Sequence, residues 1–420
     1  MQVIADFHTH SRFAMACSSS ITIKGMETAA FEKGINLIGT SDFTHGAWLD
    51  ELKANMEKDN ETNFFKIKNS NSNVRFVLSG EVSTIFTGND KRTKKIHNII
   101  LLPDFESLNS LRDVLKRYGN LESDGRPQLS MSAASLVEEV FKVNKNAFVF
   151  PAHAWTPYFG VFGSLSGFDS MKDAYEDQEK HIHALETGLS SDPPLNWRIS
   201  GLDKYTLLSN SDMHSLPKLG REANVFEIDE GKLDYSNITE IIKQKDSKHL
   251  KSTIEFYPEE GKYHFDGHKE CKFSVDPSNS KISVCKICGK KLVIGVVHRV
   301  NDLADRPVGY VPKNSIPYVN IVPLIEVVAY SMRKTTYSPI VITQYRTLLE
   351  KVGKEFDILM NIDLERIAES STKEIAQAIS NVRENKIHII PGYAGVFGEI
   401  DLLNREKDHS NVIRQKSLFD

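Results

Sequence analysis

The sequence predicts an α/β fold: a parallel sheet or barrel, followed by a compact Cys/His unit and a mainly helical tail. Three observations predict it. Seven short apolar segments, mostly separated by helix-like or polar stretches, occupy roughly the first 230 residues. At or just after the end of most of these segments stands a His, Asp or Glu. Beyond Gly261 the pattern changes, first to clustered Cys and His, then from Asn301 to helical periodicity after a lead-in punctuated by Pro307, Pro312, Pro317 and Pro323.

The seven strand-like segments are residues 3–7, 36–41, 74–79, 96–102, 147–151, 182–187 and 205–210. Helical patterns fall between several of them, at 24–33, 48–58, 105–118, 133–142 and 170–180. Strand and helix in alternation argue for parallel pairing. His97 stands at the start of its segment rather than the end, which predicts a hairpin-like excursion after Glu81. The pattern loosens from 231 to 260, with a short helix expected at 240–245. Helices are expected at 324–331, 340–352, 364–369 and 373–384, a turn-rich loop at 391–396, and a polar, frayed end from Arg405. A chain of 420 residues exceeds one ordinary domain. The expected division is a barrel over 1–235, a metal-binding unit over 255–300 and a helical domain over 301–420.

The chemistry gathers at strand ends. In Asp6-Phe7-His8-Thr9-His10 the two histidines are two residues apart, so on a strand they face the same way and can share an ion. Downstream stand Asp42 and His45, Glu81, His97, His153, Glu186, and the pair Asp212 and His214. In a barrel of parallel strands all C-terminal ends meet at one face. His8, His10, Asp42, His45, Glu81, His97, His153, Asp212 and His214 are therefore expected to converge as metal ligands. Imidazole and carboxylate suit Zn, Mn or Fe, and this inventory exceeds what one tetrahedral ion needs, so two or three ions are expected. Such a cluster lowers the pKa of a bridging water and clamps phosphoryl oxygens during displacement.

A second constellation is of a different kind. His268 and Cys271, then Cys285 and Cys288 followed by Gly289, form two ligand pairs with the spacing of a closed structural Zn²⁺ site. His264 and His298 are rivals of His268 for the fourth position. A site of this type contributes folding energy rather than catalysis.

Composition narrows the class. Four cysteines in so long a chain do not make a disulfide scaffold. No apolar run reaches transmembrane length and Met1 leads straight into a strand-like segment, the pattern of a cytoplasmic protein without a membrane partner. Net charge is −4, but residues 281–420 carry 20 Lys and Arg against 16 Asp and Glu, while residues 1–280 carry 32 against 40. An acidic metal-binding body with a mildly basic tail fits these totals.

These residues resemble the polymerase-and-histidinol-phosphatase (PHP) family of metal-dependent phosphoesterases. The motifs that carry the resemblance are His8-x-His10, Asp42 with His45, Glu81, His97, His153 and Asp212-x-His214. The usual Asp-His pair of the second motif is here Asp42-Phe43-Thr44-His45, and a histidine that many members place after the first motif is absent. Cys17 lies nearby and reads better as a small buried hydrophobe than as a ligand. The resemblance implies a distorted seven-stranded (β/α) barrel. More narrowly, the whole chain is similar to a DNA-repair branch of that family, whose members add a zinc-binding domain and a helical C-terminal domain. That likeness implies hydrolysis of the phosphodiester 5′ of uracil, hypoxanthine, xanthine or an abasic site, leaving 3′-OH and 5′-phosphate. It also implies two or three divalent ions (Zn, Mn or Mg) in the barrel, one structural Zn in the Cys/His unit, and a monomer with a repair or replication protein as partner.

On this reading Asp212 and Glu81 hold and bridge the ions, and His214 or an imidazole-held ion assists the leaving oxygen. The lesion nucleotide leaves the stack and enters a pocket. Candidates for that pocket are Tyr158 in the loop 155–162, and Glu186 and Asn196, with Asn196 reading a base edge and Glu186 open between base reading, support of a ligand and a core role. Lys94 and Lys95, in the basic run before His97, are candidates for phosphate contact. Two rivals are a small-molecule phosphatase with the same metals, and a nucleic-acid-binding scaffold with a silent barrel. Nine intact candidate ligands argue against a silent barrel.

Overall fold

Val3, Ala5 and Phe7 alternate with Ile4 and Asp6 at the start of the chain, and both sets are buried, so this strand has protein on both faces. It is β1 (Gln2–Asp6), paired in parallel with β2 (Leu37–Gly39). The computed structural model describes residues 1–404; the polar end expected from Arg405 lies outside the described residues. A short hairpin, β3 (Met56–Lys58) and β4 (Phe65–Ile67), flanks β5 (Arg75–Thr87), which pairs in parallel with β2. The excursion expected after Glu81 is a long antiparallel hairpin of β5 with β6 (Thr93–Leu102), in which Ser83 faces His97 and Thr87 faces Thr93. The hairpin places His97 beside Glu81 although sixteen residues of chain separate them.

Beyond it come β7 (Gln128–Leu129) beside β5, β8 (Phe148–Pro151) antiparallel to β6, and the parallel pair β9 (Ala184–Glu186) and β10 (Thr206–Leu208). All seven sequence-predicted segments are thus strands of a distorted barrel. The distortion has a visible cause: β9 and β10 pair only with each other, and side chains bridge the gap to β1. Asn210 Oδ1 accepts the Phe7 N–H at 2.9 Å, and the Asp6 carboxylate accepts Ser211 N–H and Gly220 N–H, each at 3.1 Å. The loop after β10 is held by the first strand in this way, which matters for Asp212.

The sheet also extends past residue 235, where the barrel domain was expected to end. β11 (Ala223–Glu227) pairs antiparallel with β1, and β12 (Leu250–Glu255) pairs with β11, the helix Tyr235–Lys243 lying between them in sequence. Alternating strand residues divide the interior. Val3, Ala5, Phe7, Leu37, Val77 and Phe150 share one core with Ile238 and Ile242 of that helix. Ile4, Ile38, Phe76 and Val149 pack against the surrounding helices through residues such as Trp48, Leu111 and Val137.

Helix ends differ modestly from expectation. Thr22 caps Ile23–Lys33 through Gly25 N–H, and Gly34 ends it at φ 89, the left-handed conformation glycine adopts without cost. The segment expected as one helix over 48–58 is Gly46–Asn55, its last residues being drawn into β3. The one expected over 170–180 is the short helix Met171–Tyr175 followed by the 3-10 turn Glu176–His181, since Glu176 takes φ 52.

The Cys/His unit is built on the hairpin β13 (Asp266–His268) and β14 (Phe273–Val275). The strand β15 (Tyr318–Asn320) then returns to the main sheet beside β12 before the tail helices Leu324–Ser331, Pro339–Lys351, Glu355–Met360, Leu364–Glu369 and Lys373–Arg383. A last hairpin joins β16 (His388–Ile390) to β17 (Glu399–Asp401). Among the described residues no helix is long and apolar enough to cross a membrane.

The helical tail docks on the barrel through a buried ion pair. Lys33 Nζ lies 3.1 Å from Glu355, both side chains being nearly inaccessible, and Glu355 also accepts Leu324 N–H at 3.0 Å and Tyr345 O–H at 2.7 Å. Removing one partner strands the other charge. Lys33→Ala is expected to lower stability by on the order of 3 kcal/mol. Denaturant unfolding checks this, and an unchanged midpoint would show that the docking does not depend on the pair.

Candidate metal centre

Strand ends carry the centre, and backbone strain aims its side chains. Asp42 (φ 30), His153 (φ 27) and Asp212 (φ 46) all occupy the left-handed region although none is glycine. Non-glycine residues persist there only where their surroundings hold them, commonly at functional sites.

Three overlapping groups of ligand atoms result, each group spanning no more than 4.8 Å: His8, His10 and Glu81; His10, Asp212 and His214; and Glu81, His97 and His153. Glu81 is the hub. Its Oε2 lies 3.7 Å from His8 Nε2 and 3.4 Å from His10 Nε2, while Oε1 lies 2.6 Å from His97 Nδ1 and 3.2 Å from His153 Nε2. Asp212 Oδ1 stands 3.0 Å from His10 Nε2 and 3.4 Å from His8 Nε2. Yet His8 Nε2, His10 Nε2 and Asp212 Oδ1 are buried without a hydrogen bond of acceptable geometry. Buried polar atoms left so are rare and call for a partner. A divalent ion held among them would satisfy all three, and the donor set of imidazole and carboxylate is the one Zn, Mn or Fe takes. The residues present fit the ions.

The electrostatics agree. Burial pushes the Glu81 carboxyl up, but His97 and His8 outweigh it and hold it well below its ordinary range. Asp212 is likewise raised by burial and lowered further by His214 and His8, ending well below an ordinary aspartate. Both carboxylates are ionised at neutral pH, as ligation requires.

The residues behind the ligands are as definite. Glu186 accepts His8 Nδ1–H, both carboxylate oxygens lying 3.0 Å away, and also accepts His153 N–H and Asn210 Nδ2–H, each at 2.9 Å. That bond fixes the tautomer in which His8 Nε2 is free to ligate. Both oxygens of Glu186 are thus engaged with His8, His153 and Asn210, the arrangement of a residue that supports a ligand. Asp42 does for His10 what Glu186 does for His8: its Oδ1 accepts Nδ1–H at 2.9 Å and Oδ2 accepts Ser11 N–H. Asp42 thus stands behind His10 and outside the three groups of candidate ligand atoms. His45 is also outside the groups; it stacks on Phe13 with ring centroids 4.4 Å apart and precedes the helix Gly46–Asn55. The displaced spacing of that motif explains the outcome, since two extra residues carry the imidazole past the mouth and onto Phe13. Cys17 belongs to none of the groups either, and burial pushes its thiol up to about 12.

Glu186 gives a direct test. In Glu186→Gln one oxygen becomes an NH₂ facing either His153 N–H or Asn210 Nδ2–H, donor against donor. Loss of metal affinity or activity by about 10- to 100-fold is expected. A metal titration of activity checks it, and an unchanged metal dependence would contradict the supporting role.

Two other expectations about the surrounding loops change. Asn196 is engaged by protein groups: its Oδ1 accepts Trp155 Nε1–H at 2.8 Å and its Nδ2 donates to Asp192 O at 2.8 Å and Ser191 Oγ at 3.2 Å. It pins Trp155 instead. Lys94 is consumed by Gly167 O at 2.8 Å and Asp90 at 3.0 Å. Lys95 is only half-buried, with its Nζ 5.3 Å above the Phe159 ring, which in turn lies 4.3 Å from the His97 ring. Tyr158 is 52% exposed in the same loop. Arg299 and Arg306 clamp these loops: Arg299 donates to Phe162 O and Phe168 O, each at 3.0 Å, and Arg306 donates to both oxygens of Asp203. Arg126 lies 3.5 Å from Glu81.

The second constellation assembles from His268, Cys271, Cys285 and Cys288 within 4.8 Å. Gly289, at φ 74, lets the chain turn so that its N–H reaches Cys285 O at 2.8 Å. The rivals are elsewhere: His298 Nδ1 is 2.5 Å from Asp266, and His264 packs beside Phe265, burial pushing it down to about 4. The glycine-rich loop after Pro391 is a turn docked on this unit. Gly392 N–H, Gly395 N–H and Gly398 N–H are given to Glu259 O, Lys262 O and Glu260 O.

Known proteins resemble this chain in part or over its full length. Residues 323–386 match the MJ0043 C-terminal domain family. The uncharacterized protein MJ0043 of Methanocaldococcus jannaschii is 30% identical over 252 residues, 59% of this chain and 31% of that protein, so the chain spans about a third of that relative's length. The uncharacterized protein YqxK of Bacillus subtilis is 25% identical over 419 residues, covering 95% of this chain and 99% of its own. Among solved structures, the lesion-specific endonuclease PfuEndoQ from Pyrococcus furiosus superposes with a TM-score of 0.84 at 30% identity, covering 99% of this chain and 100% of that one. An endonuclease Q complexed with a 27-mer duplex bearing an abasic lesion at its active site gives 0.83 at 30% identity, covering 98% of this chain and 100% of that one. On full-length similarity at that identity, joined to a shared fold, the chain belongs to the endonuclease Q family.

Proposed function

We propose that this protein is a metal-dependent DNA endonuclease that cuts at damaged nucleotides. The observation that carries the proposal is the convergence of His8, His10, Glu81 and Asp212, with buried nitrogens and an oxygen lacking partners, at one mouth of the barrel of an endonuclease Q relative. The abasic duplex seated in the active site of one such relative supports DNA as the substrate. In finer terms, the bond hydrolysed is the phosphodiester 5′ of uracil, hypoxanthine, xanthine or an abasic site, giving 3′-OH and 5′-phosphate. Two or three divalent ions would be held by His8, His10, Glu81, His97, His153, Asp212 and His214, and would supply electrophilic activation of both phosphate and water.

The chain's own groups do the rest. Glu186 and Asp42 hold His8 and His10 through Nδ1, with Nε2 turned inward toward Glu81 and Asp212. His214, its Nδ1 hydrogen-bonded to Asp212 O at 2.9 Å and its ring beside His10, would assist the leaving oxygen through the ion it helps to hold. Tyr158 offers a face on which an extruded base can stack, and Lys95 a charge for the backbone beside it. The experiment incubates labelled duplexes carrying uracil, hypoxanthine, an abasic site or no lesion with Mn²⁺, Mg²⁺ or Zn²⁺. A nick immediately 5′ of the lesion is the expected product. Base release without a nick, or hydrolysis of simple phosphate monoesters faster than any DNA cleavage, would refute the proposal.

A further inference from the structure

The loop between the helix Phe105–Leu115 and β7 brings Arg126 to the metal centre, and that loop is fixed along its length. Asp124 Oδ1 accepts both Arg126 N–H and Met15 N–H at 3.1 Å. Gly125 N–H is bonded to Phe13 O at 3.0 Å, and a Cβ on Gly125 would lie 2.5 Å from Asp42 Oδ2, so only glycine lets the loop close on the carboxylate behind His10. On the far side Pro127 O accepts Ser83 N–H at 2.9 Å, two residues after Glu81. A surface arginine would not be anchored at both flanks.

The guanidinium is positioned with little to hold it. Its Nη1 is 3.5 Å from Glu81 Oε2, the outer limit of a hydrogen bond. The side chain gives its remaining donors to no other protein group among the described residues, and it is 19% exposed where Glu81 is wholly buried. Among the described residues it is the one Lys or Arg ion-paired to the ligand groups. Glu81 Oε2 is also the oxygen that His8 Nε2 and His10 Nε2 approach. Once divalent ions draw on that oxygen, Arg126 loses its anion while staying cationic in a part-buried place. A phosphodiester at the ions supplies a replacement, with two non-bridging oxygens matched to the guanidinium fork.

We infer that Arg126 contacts the scissile phosphate and stabilises the added negative charge of the transition state. The inference rests on the nuclease reading above and deepens it. Arg126→Ala is expected to lower kcat for nicking of an abasic duplex by about 10²- to 10³-fold, the usual effect of removing one donor from a developing oxyanion. Bound metal and the duplex Kd should change by no more than about two-fold. Arg126→Lys keeps the charge but loses the fork and should remain at least about ten-fold slow. Added methylguanidinium should restore part of the Arg126→Ala rate, which a merely structural role would not allow. Wild-type kcat in Arg126→Ala would overturn the inference. So would a loss of rate that tracks loss of metal and is cured by excess Mn²⁺, since Arg126 would then act only through Glu81. Failure of the wild-type protein to nick any lesion duplex would instead remove the reading on which the inference stands.

Discussion

Asp212→Asn is expected to reduce lesion-directed cleavage by ~10³-fold or more while leaving the fold intact. The size follows from what Asp212 contributes. Its Oδ1 faces two imidazole nitrogens at 3.0 and 3.4 Å, and it is one of only two carboxylates in the ligand groups. An amide of the same shape removes one negative charge from the position where at least one ion must be neutralised. The fold should survive for a separate reason. Asp212 sits at φ 46, and asparagine tolerates that conformation as well as aspartate does. The loop is also tied by groups the substitution leaves alone: Asp6 to Ser211 and Gly220, and Arg221 Nε to Ser211 O at 2.9 Å. Single-turnover nicking and thermal unfolding measured on the same preparation separate the two effects. Cleavage near the wild-type rate would exclude Asp212 from the reaction.

Cys285→Ser, or stripping zinc with a chelator, is expected to unfold residues 266–294 while the barrel stays folded. The physical reason is the poverty of that unit's core. Cys285 is buried, but Val284, Ile287, Val293 and Ile294 are 46%, 68%, 37% and 40% exposed. A hairpin of three-residue strands cannot bury enough apolar surface to offset its ordering entropy. Zinc ligation by His268, Cys271, Cys285 and Cys288, worth on the order of 10 kcal/mol in small zinc units, would supply the difference. Hydrogen exchange should show amides such as Gly289 N–H and Cys285 N–H losing protection, and bound zinc should fall by about one equivalent. Retained protection in the zinc-free protein would mean that the unit is held by its packing against Tyr393 and neighbouring chain instead.

The sequence and the structure agree most closely where one local rule decides the outcome. Seven apolar segments became seven barrel strands because a strand buried on both faces has a simple signature. The convergence of His8, His10, Glu81, His97, His153, Asp212 and His214 is legible because strand ends in such a fold share a face. What sequence reading missed depends on partners far along the chain. Whether Asp42 ligates or supports a ligand turns on which atom of His10 it meets, and nothing in residues 39–45 says so. Asn196 looked free to read a base because its bond to Trp155 spans forty-one residues. Lys94 and Lys95 are neighbours of the same type, yet Gly167 O takes the one and leaves the other half-open. Arg126 could have been noticed in Asp124-Gly125-Arg126-Pro127, a turn sequence, but its charge acquires meaning only beside Glu81. Strands β11 and β12 follow Asp212 and His214 and carry none of the chemistry that marks the others, so only their pairing with β1 reveals them as part of the sheet.

Anomalous diffraction from crystals soaked in Mn²⁺ tests the central assignment most directly. The account predicts peaks at the barrel mouth, within ligand distance (about 2.0–2.3 Å) of His8 Nε2, His10 Nε2, Glu81 and Asp212, and their loss in Asp212→Asn. Strong peaks confined to other surfaces, in a preparation that nicks lesion duplexes, would contradict it.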